Sequence, residues 1–225
     1  VTRRAGRRSM RFAVPPPDGP PLAQRAADRS TADLVAARAR EAERLLDAGR
    51  VVMTRAGLGG RATVAEIVRE SGLSNQAFYR HFAGKDDLVA TIVDANARRL
   101  AVYLEKAMAV VDDPAEKVRT WVRVVLQQAL DPRIAEPTRA VTANRNVLVG
   151  QADSDARRAE SLVWQLLIDP LTAAGCAEPR VSAYLIGKLT FAVMLEALWA
   201  DDPPTDDEIG FVEDFCLAAL PDPAG

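Results

Sequence analysis

The sequence has little of what most catalytic sites use. Its 225 residues include one histidine, His81, and two cysteines, Cys176 and Cys216. It contains no Cys/His cluster of the kind that binds zinc, no glycine-rich phosphate loop after a strand and no G-x-S-x-G sequence. Paired aspartates such as Asp112-Asp113 stand at predicted helix ends, where carboxylates cap or terminate helices. We therefore expect no enzyme, no metal and no cofactor.

Long apolar runs are also missing, as is any signal-peptide pattern. No stretch approaches the roughly 18 apolar residues that a membrane-spanning helix needs. The two cysteines stand 40 positions apart, which indicates free thiols, with a redox pair as the alternative. These absences predict a cytoplasmic protein that does not contact a membrane.

Composition and charge say more about architecture. Aromatic residues make up 5% of the chain and strand-like alternation is missing, whereas Ala, Leu, Arg and Glu are abundant, so an all-α fold is expected. Residues 1–95 hold 16 basic and 11 acidic side chains and carry +5, and residues 96–225 hold 13 and 20 and carry −7. A basic part beside an acidic part predicts a nucleic-acid-binding module joined to a part that avoids nucleic acid.

The stretch 63–88 has the pattern of two short helices joined by a tight turn and followed by a third. Thr63 and Glu66 fit a capping box at the start of the first helix. Gly72 stands where a helix ends with positive φ, and Ser74 is a natural N-cap for the next helix. A helix, a Gly-containing turn and a second helix predict a helix-turn-helix.

The second of these helices, over 75–82, has two different faces. Phe78 and Phe82 are four residues apart and are expected to pack inward. The opposite face is polar and short in reach, as a helix in the major groove of DNA needs; the alternative is an ordinary helical hairpin with a solvated face. The residues expected near base edges are Asn75, Gln76 and Arg80, flanked by Ala77. The residues expected at phosphates are Thr63, Ser74, Tyr79, His81 and Lys85.

The same stretch resembles the DNA-binding signature of the TetR family of transcriptional regulators. The matching pieces are the capping Thr63, the turn Gly72-Leu73-Ser74, the segment Tyr79-Arg80-His81-Phe82 and the helix start Lys85-Asp86-Asp87-Leu88. The resemblance implies a homodimer that binds a double-stranded DNA operator and a small-molecule effector. One departure is Gly49 in the first helix, where a small helix-favouring residue is more usual, and Gly49 is expected to loosen that helix.

The charge pattern and the motif at 63–88 divide the chain into three predicted segments. Residues 1–30 are basic and proline-rich and are expected to be a disordered arm, either a solvated tail or one that reaches DNA phosphates. Residues 31–88 are expected to form the three-helix DNA-binding domain, with its first helix over 31–56. Residues 89–225 are expected to form a helical ligand-binding and dimerisation domain.

The C-terminal domain should hold both a cavity and an interface. Helices over 114–130, 134–149 and 154–174 are expected to enclose an apolar cavity, unless their aromatic and polar residues are ordinary core and surface residues. The candidate lining residues are Trp121, Arg139, Asn144 and Trp164. Apolar helices over 180–200 and 205–220 can pair with a second copy or be covered within a monomer core. The candidate interface residues are Leu185, Leu189, Val193, Phe211 and Phe215.

Together these features predict a ligand-responsive transcriptional regulator. By resemblance it is a repressor, released from a near-palindromic operator when a small, largely apolar effector enters the cavity. The long helix over 85–110 would then shift and change the separation of the two recognition helices. The alternative is a helical sensor or partner-binding protein without sequence-specific DNA binding.

Overall fold

Helices account for all the regular secondary structure in the described part of the chain. The computed structural model describes residues 22–57, 61–144, 151–218 and 220, with side chains described outside 22–30 and 151–156. These residues contain ten α-helices, one 3-10 turn and no strand. The expected all-α fold class is therefore confirmed.

The chain divides into two units, residues 1–40 and residues 41–225. In the first unit residues 22–40 are described, and they form the N-terminal part of helix α1, Leu22–Ala56. The helix begins at residue 22 rather than at the expected residue 31, because Ala, Arg and Leu dominate this stretch and favour helix. Residues 1–21 of the predicted arm lie outside the described residues. The domain bounds at 31–88 and 89–225 stay predictions.

The predicted helix-turn-helix is confirmed by the next three helices. They are α2 Val64–Ser71, α3 Asn75–His81 and α4 Lys85–Ala109. The buried side chains of these helices join those of α1 in a first core. This first core contains Leu45, Met53, Ile67, Phe78, Leu88 and Ile92, together with Ala140 and Val141 from farther along the chain.

Six further helices complete the second unit. They are α5 Pro114–Leu130, α6 Pro132–Ala143, α7 Gln151–Trp164, α8 Ile168–Ala173, α9 Pro179–Ala200 and α10 Asp206–Leu217. Helix α5 lies at the centre, in contact with α4, α6, α8, α9 and α10, and α4 packs along α7. Their second core includes Leu104, Trp121, Val125, Leu126, Leu167 and Leu198.

Two of these helices end differently from the sequence expectation. The helix expected over 154–174 is interrupted by a 3-10 turn at Gln165–Leu167. Pro170 has no N–H to donate to the carbonyl of Leu166, and its ring would crowd that carbonyl, so the α-helix cannot run through unbroken. The helix expected over 134–149 ends at Ala143, and residues 145–150 lie outside the described residues.

Helix α9 differs from the sequence expectation that no stretch is long and apolar enough to span a membrane. By length and composition alone Pro179–Ala200 could cross a membrane, although the core helix of a soluble protein can pass the same test. Only 33% of its most apolar stretch is buried. A helix that is apolar nearly all round but covered on one side leaves apolar surface for another partner.

A buried carboxylate fixes the orientation of α10 on α5. Glu213 is 1% exposed and accepts hydrogen bonds from Arg123, with Nε to Oε1 at 2.8 Å and Nη2 to Oε2 at 2.9 Å. Arg119 Nη1 also donates to Glu213 Oε2 at 3.3 Å. Residues two positions away on a helix point to the opposite side, so Phe211 and Phe215 face outward.

Gly49 proves to be a packing contact rather than a weak point. A Cβ on Gly49 would lie 2.7 Å from Leu88 Cδ2 and 3.3 Å from Ile92 Cδ1, two fully buried side chains of α4. The missing side chain lets α1 approach α4 closely. The expectation that Gly49 loosens the helix overlooked this approach, because the sequence does not reveal which helix lies against it.

Gly187 in α9 allows an even closer approach to α7. A Cβ on Gly187 would lie 2.5 Å from Trp164 Cβ and 3.1 Å from Trp164 Cγ. These atoms are close to the α7 backbone and cannot swing away as the end of a flexible side chain can.

We predict that Gly187→Ala lowers the free energy of unfolding by about 1–3 kcal/mol, because overpacking outweighs the better helix propensity of alanine. The control is Gly210→Ala in α10, where an added Cβ meets nothing within 4 Å. The control should be neutral or raise stability by up to about 1 kcal/mol. Urea unfolding at one protein concentration measures both, and equal effects would contradict the prediction.

Candidate functional site

The start of α2 is held by the capping box expected from the sequence. Thr63 Oγ1 accepts from the Glu66 amide at 3.3 Å, and Glu66 Oε2 accepts from the Thr63 amide at 2.9 Å. The Thr63 hydroxyl also donates to Glu66 Oε2 at 2.8 Å. These hydrogen bonds from Thr63 lower the pKa of Glu66. The Thr63 hydroxyl is thus engaged within the chain, so it is a weaker candidate for a phosphate contact than its position in the motif suggested.

The turn between α2 and α3 is fixed by one glycine and by a residue of α1. Gly72 has φ 64°, a conformation that a side chain would strain. Arg44 Nη2 donates to the Ser71 carbonyl at 2.6 Å, at the end of α2. The role of Arg44 was not predicted, since nothing in the local sequence tells which arginine of α1 faces the turn. This contact ties the end of α2, and so the turn that leads into α3, to α1.

Helix α3 presents the two faces that its sequence indicates. Phe78 is 0% exposed and Phe82 5%, so both pack inward as expected. Four of the predicted DNA-contacting residues are exposed on the helix: Asn75, Gln76, Tyr79 and Arg80. Ser74 is exposed at its N-terminus, and the Ser74 Oγ accepts from the Ala77 amide at 3.1 Å. Its hydroxyl proton stays available for a phosphate oxygen.

Ala77 is not on the exposed face. The residue is 4% exposed and belongs to the buried side of α3, next to Phe78. The prediction that Ala77 flanks the DNA-contacting surface is therefore wrong. Ala77 stands directly before the fully buried Phe78 and four positions before His81, whose side chain is 12% exposed, so it belongs to the side of α3 that faces the domain.

His81 and Arg80 are both drawn to a carboxylate of α1. His81 Nε2 lies 3.0 Å from Glu41 Oε2, and Arg80 Nη1 lies 3.4 Å from the same oxygen. The His81 side chain is 12% exposed, whereas that of Arg80 is 44% exposed. His81 therefore anchors the end of α3 and is poorly placed for the phosphate contact expected of it. Arg80 keeps enough exposure to reach beyond Glu41.

Lys85 and Tyr79 are the phosphate candidates with the fewest competing contacts. Lys85 begins α4, and its side chain makes no hydrogen bond or ion pair with any described residue. Tyr79 is 60% exposed, and its ring packs edge-on against Phe78 at 5.3 Å between centroids. The Tyr79 side chain is thus largely exposed, while its ring is held by contact with the buried ring of Phe78.

Asn144 connects helix α6 to the start of the helix-turn-helix. The residue is 3% exposed, and its Oδ1 accepts from the Ala62 amide at 3.1 Å, directly before the capping box. Its Nδ2 donates to the Ala140 carbonyl at 3.0 Å. The prediction that Asn144 lines a cavity is wrong, because both of its amide atoms are engaged in this buried bridge.

A cavity of about 150 Å³ lies among helices α4, α5, α6, α7 and α9. Apolar side chains form much of its wall, with a few polar groups from α4, α5, α6 and α7. Its lining includes Val93, Asn96, Leu100, Gln128, Thr138, Thr142, Glu160, Val163, Phe191, Met194 and Leu195. Of these residues only Asn96 stands out in the sequence. It is the one polar residue in a row of apolar residues spaced four apart along α4.

A more open groove of about 820 Å³ adjoins this cavity. It is lined by residues of α4, α5 and α6, by Asp131 between α5 and α6, and by Arg50 of α1. Four side chains line both spaces: Asn96, Leu100, Gln128 and Thr138. The groove and the cavity are therefore neighbouring parts of one recess.

The other three predicted lining residues lie outside this recess. Trp121 is 0% exposed and its indole N–H donates to the Val163 carbonyl at 3.0 Å, so it is a satisfied core residue. Trp164 packs against Gly187 and edge-on against Tyr184. Arg139 is paired with Asp201 at 2.6 Å. None of the three side chains lines the recess, and each makes a structural contact elsewhere.

The predicted interface residues fall into two groups. Leu185, Phe211 and Phe215 are exposed to 58%, 73% and 62%. Leu189 and Val193 are half-buried against the core of their own chain. The exposed group is joined on α9 by further large apolar side chains, Val181, Tyr184 and Trp199.

Both cysteines are free thiols, and the more buried of the two has low reactivity. Cys216 is 2% exposed, and burial raises its pKa to about 11. A thiol with such a pKa is almost fully protonated at neutral pH and is a poor nucleophile. Among the described residues no group of three or more His, Cys, Asp or Glu side chains is placed to hold a metal ion.

Comparison with known proteins identifies the N-terminal part. Residues 45–92 match the family model for bacterial regulatory proteins of the tetR family. Over these residues the chain is similar to bacterial regulatory proteins of the tetR family. This match covers α2, α3 and parts of α1 and α4, the same helices that hold Thr63, Ser74 and the exposed face of α3. The resemblance found in the sequence is thus confirmed, although no curated protein matches the chain.

Solved structures extend the likeness to the whole TetR-type fold. The fatty acid degradation regulator FadR from Bacillus halodurans is 18% identical, with 80% of this chain and 99% of that chain covered and a TM-score of 0.63. FadR from Bacillus subtilis in complex with stearoyl-CoA is 14% identical, covering 80% and 99%, with a TM-score of 0.60. RolR in complex with resorcinol is 16% identical, covering 82% and 89%, with a TM-score of 0.59. At these identities the likeness shows a shared fold.

We predict that Asn144→Ala lowers the free energy of unfolding by about 1–3 kcal/mol, because the buried Ala62 amide loses its acceptor. The exchange of the Ala62 amide hydrogen should accelerate as well. The control is Thr142→Ala, which removes a hydroxyl that donates within α6 to the Thr138 carbonyl. Unchanged exchange at Ala62 in Asn144→Ala would show that the bridge does not hold the start of α2.

Proposed function

We propose that this protein is a homodimeric transcriptional repressor that binds a near-palindromic operator and is released by a small effector. The observation that carries the proposal is helix α3, which is buried through Phe78 and exposes Asn75, Gln76, Tyr79 and Arg80 on its other side. A rigidly supported helix with a polar outer face is what major-groove recognition requires.

Roles within α3 follow from the reach and chemistry of its side chains. Asn75 and Gln76 carry amides that can pair with the edge of adenine, and Arg80 can pair with guanine. Ser74, Tyr79 and Lys85 would bind phosphates and fix the register of the helix on the duplex. The fold likeness to TetR-type regulators supports these roles without testing them residue by residue.

A two-fold dimer would explain the exposed apolar surface of α9 and α10. Large apolar side chains on both helices, including Leu185, Phe211 and Phe215, are exposed in the single chain. Contiguous apolar patches on a soluble protein usually mark an interface. If the same patch meets itself, the two α3 helices are related by a two-fold axis, and the operator must be near-palindromic.

The recess beside α4 is the proposed effector site. Its walls come from α4, which begins within the TetR-family domain, and from α6, which reaches that domain through Asn144. An effector that binds better when these helices are displaced would change the spacing of the recognition helices and weaken operator binding. The ligand-bound relatives, one with stearoyl-CoA and one with resorcinol, support a small-molecule effector.

Selection of genomic fragments with the purified full chain, followed by footprinting, tests the function directly. A protected inverted repeat is the expected result. Retention that is uniform across fragments and abolished by moderate salt would contradict sequence-specific binding and favour a sensor that does not read DNA.

On the selected operator we predict that the double variant Tyr79→Ala/Lys85→Ala binds at least about tenfold more weakly. The slope of log affinity against log salt should fall in magnitude by about 2, because each of the two subunits loses one cationic phosphate contact. The control pair is Val102→Ala/Lys106→Ala on α4, two exposed residues near the far end of that helix from Lys85 that do not line the recess. Unaltered operator affinity in the first variant would refute the assigned phosphate contacts.

We predict that Phe211→Ser/Phe215→Ser weakens the dimer by at least about a hundredfold, because aromatic anchors dominate the energy of such interfaces. Sedimentation over a range of concentrations measures the dissociation constant. The control is Val110→Ser, which removes an apolar side chain that is 85% exposed at the end of α4. A double variant that dimerises like the parent would exclude α10 from the interface, and pelleting with lipid vesicles would show whether the patch binds a membrane instead.

A further inference from the structure

The groove that adjoins the proposed effector cavity is rich in guanidinium groups. Three arginines line it, Arg50, Arg99 and Arg133, against one carboxylate, that of Asp131. Arg133 is neutralised by this carboxylate, with Nε to Oδ1 at 3.1 Å and Nη2 to Oδ2 at 3.0 Å. Arg50 is paired with Asp47, which does not line the groove, and Arg99 is unpaired among the described residues, so these two arginines leave the groove lining with a positive charge.

Both of these arginines have hydrogen-bond donors to spare. Arg99 is exposed, and its guanidinium makes no hydrogen bond or ion pair with any described residue. Arg50 donates through Nη1 to Asp47 at 2.7 Å, while its Nε is buried and has no partner among the described residues. A buried donor without an acceptor is costly, and a guanidinium is the group best suited to bind a carboxylate or a phosphate.

The adjoining cavity has the opposite character. Phe191, Met194, Leu195 and Val163 form apolar wall, and the volume of about 150 Å³ suits a single aromatic ring or a short aliphatic chain. Because Asn96, Leu100, Gln128 and Thr138 line both spaces, one molecule can occupy the cavity and extend into the groove.

We propose that the effector is an amphiphilic anion, with a ring or short chain in the cavity and a carboxylate or phosphate bound by Arg50 and Arg99. This inference rests on the proposed function, in which the recess is the effector site. An anion bound by Arg50 would contact helix α1 between Leu45 and Met53, two residues of the core of the DNA-binding helices. The charged end of the effector would then act directly on the helix that carries Arg44 and Glu41.

The experiment titrates the full-length protein with four probes that share one apolar body. They are 4-phenylbutanoate, 4-phenylbutyl phosphate, 4-phenylbutan-1-ol and 4-phenylbutylammonium, and calorimetry gives each dissociation constant. At least one anion should bind about tenfold more tightly than the alcohol, and the ammonium ion should bind more weakly than the alcohol. The ratio of the two anions distinguishes a carboxylate ligand from a phosphate ester.

Neighbouring arginines provide matched variants. Arg99→Gln should weaken binding of the preferred anion about tenfold and leave the alcohol within about twofold. Arg98→Gln should change neither, because Arg98 is paired with Asp94 at 2.8 Å and does not line the groove. Arg50→Gln should act like Arg99→Gln. Because the Arg50 side chain is largely buried, Arg50→Gln can fail to fold, and the test then depends on Arg99→Gln at the exposed position.

Two results would overturn the proposal. One is that the alcohol binds as tightly as both anions, or that no anion binds. The other is that Arg99→Gln and Arg98→Gln affect the preferred anion equally. Operator binding is measured separately, so anion binding without a selected operator would refute the regulatory function and keep the anion site. An operator released by neither anion would keep DNA binding and remove this effector class.

Discussion

Helix α4 belongs to both hydrophobic cores, and the rest of the structure depends on that shared membership. Leu88 and Ile92 lie fully buried in the first core, and Leu104 lies fully buried in the second. These side chains are separated by multiples of four residues along one helix. A rotation or translation of α4 that changes the packing of one core therefore changes the packing of the other. Packed cores resist continuous deformation and tend to switch between discrete arrangements.

The recess lies where α4 passes from one core to the other. Asn96 occupies the same row as Leu88 and Leu104 and lines both the cavity and the groove. Helix α6 makes a second connection at this level, because Val141 packs in the first core and Asn144 binds the amide before α2. A molecule bound in the recess, as proposed, would therefore contact two helices that also pack against or bind the helix-turn-helix segment, α4 and α6.

The DNA-facing surface of α3 is decided as much by its neighbours as by its own sequence. Glu41 of α1 engages His81 and reaches Arg80, and the capping box engages the hydroxyl of Thr63. These contacts position α3 and engage two of the predicted phosphate-binding groups, the Thr63 hydroxyl and the His81 ring, within the chain. On α10 the buried Glu213 has the corresponding effect, because its pairing with Arg123 turns Phe211 and Phe215 outward.

Local sequence by itself determined the helices of the DNA-binding domain, their caps and the turn between them. The reason is that the capping box of Thr63, the positive φ of Gly72 and the cap at Ser74 depend on residues within a few positions. It also indicated the long helix that begins at residue 85 and the apolar helices near the C-terminus. The family resemblance rested on this same local stretch.

Only the tertiary structure decided which long-range partners these residues have. Trp121, Arg139 and Asn144 were expected at a cavity, yet each is held by a partner more than 40 positions away. Gly49 was expected to weaken a helix, yet it admits Leu88 of another. Helical periodicity tells which side of a helix is buried, but hydrogen-bond partners, close approaches and the lining of a recess depend on how separate helices are placed in three dimensions.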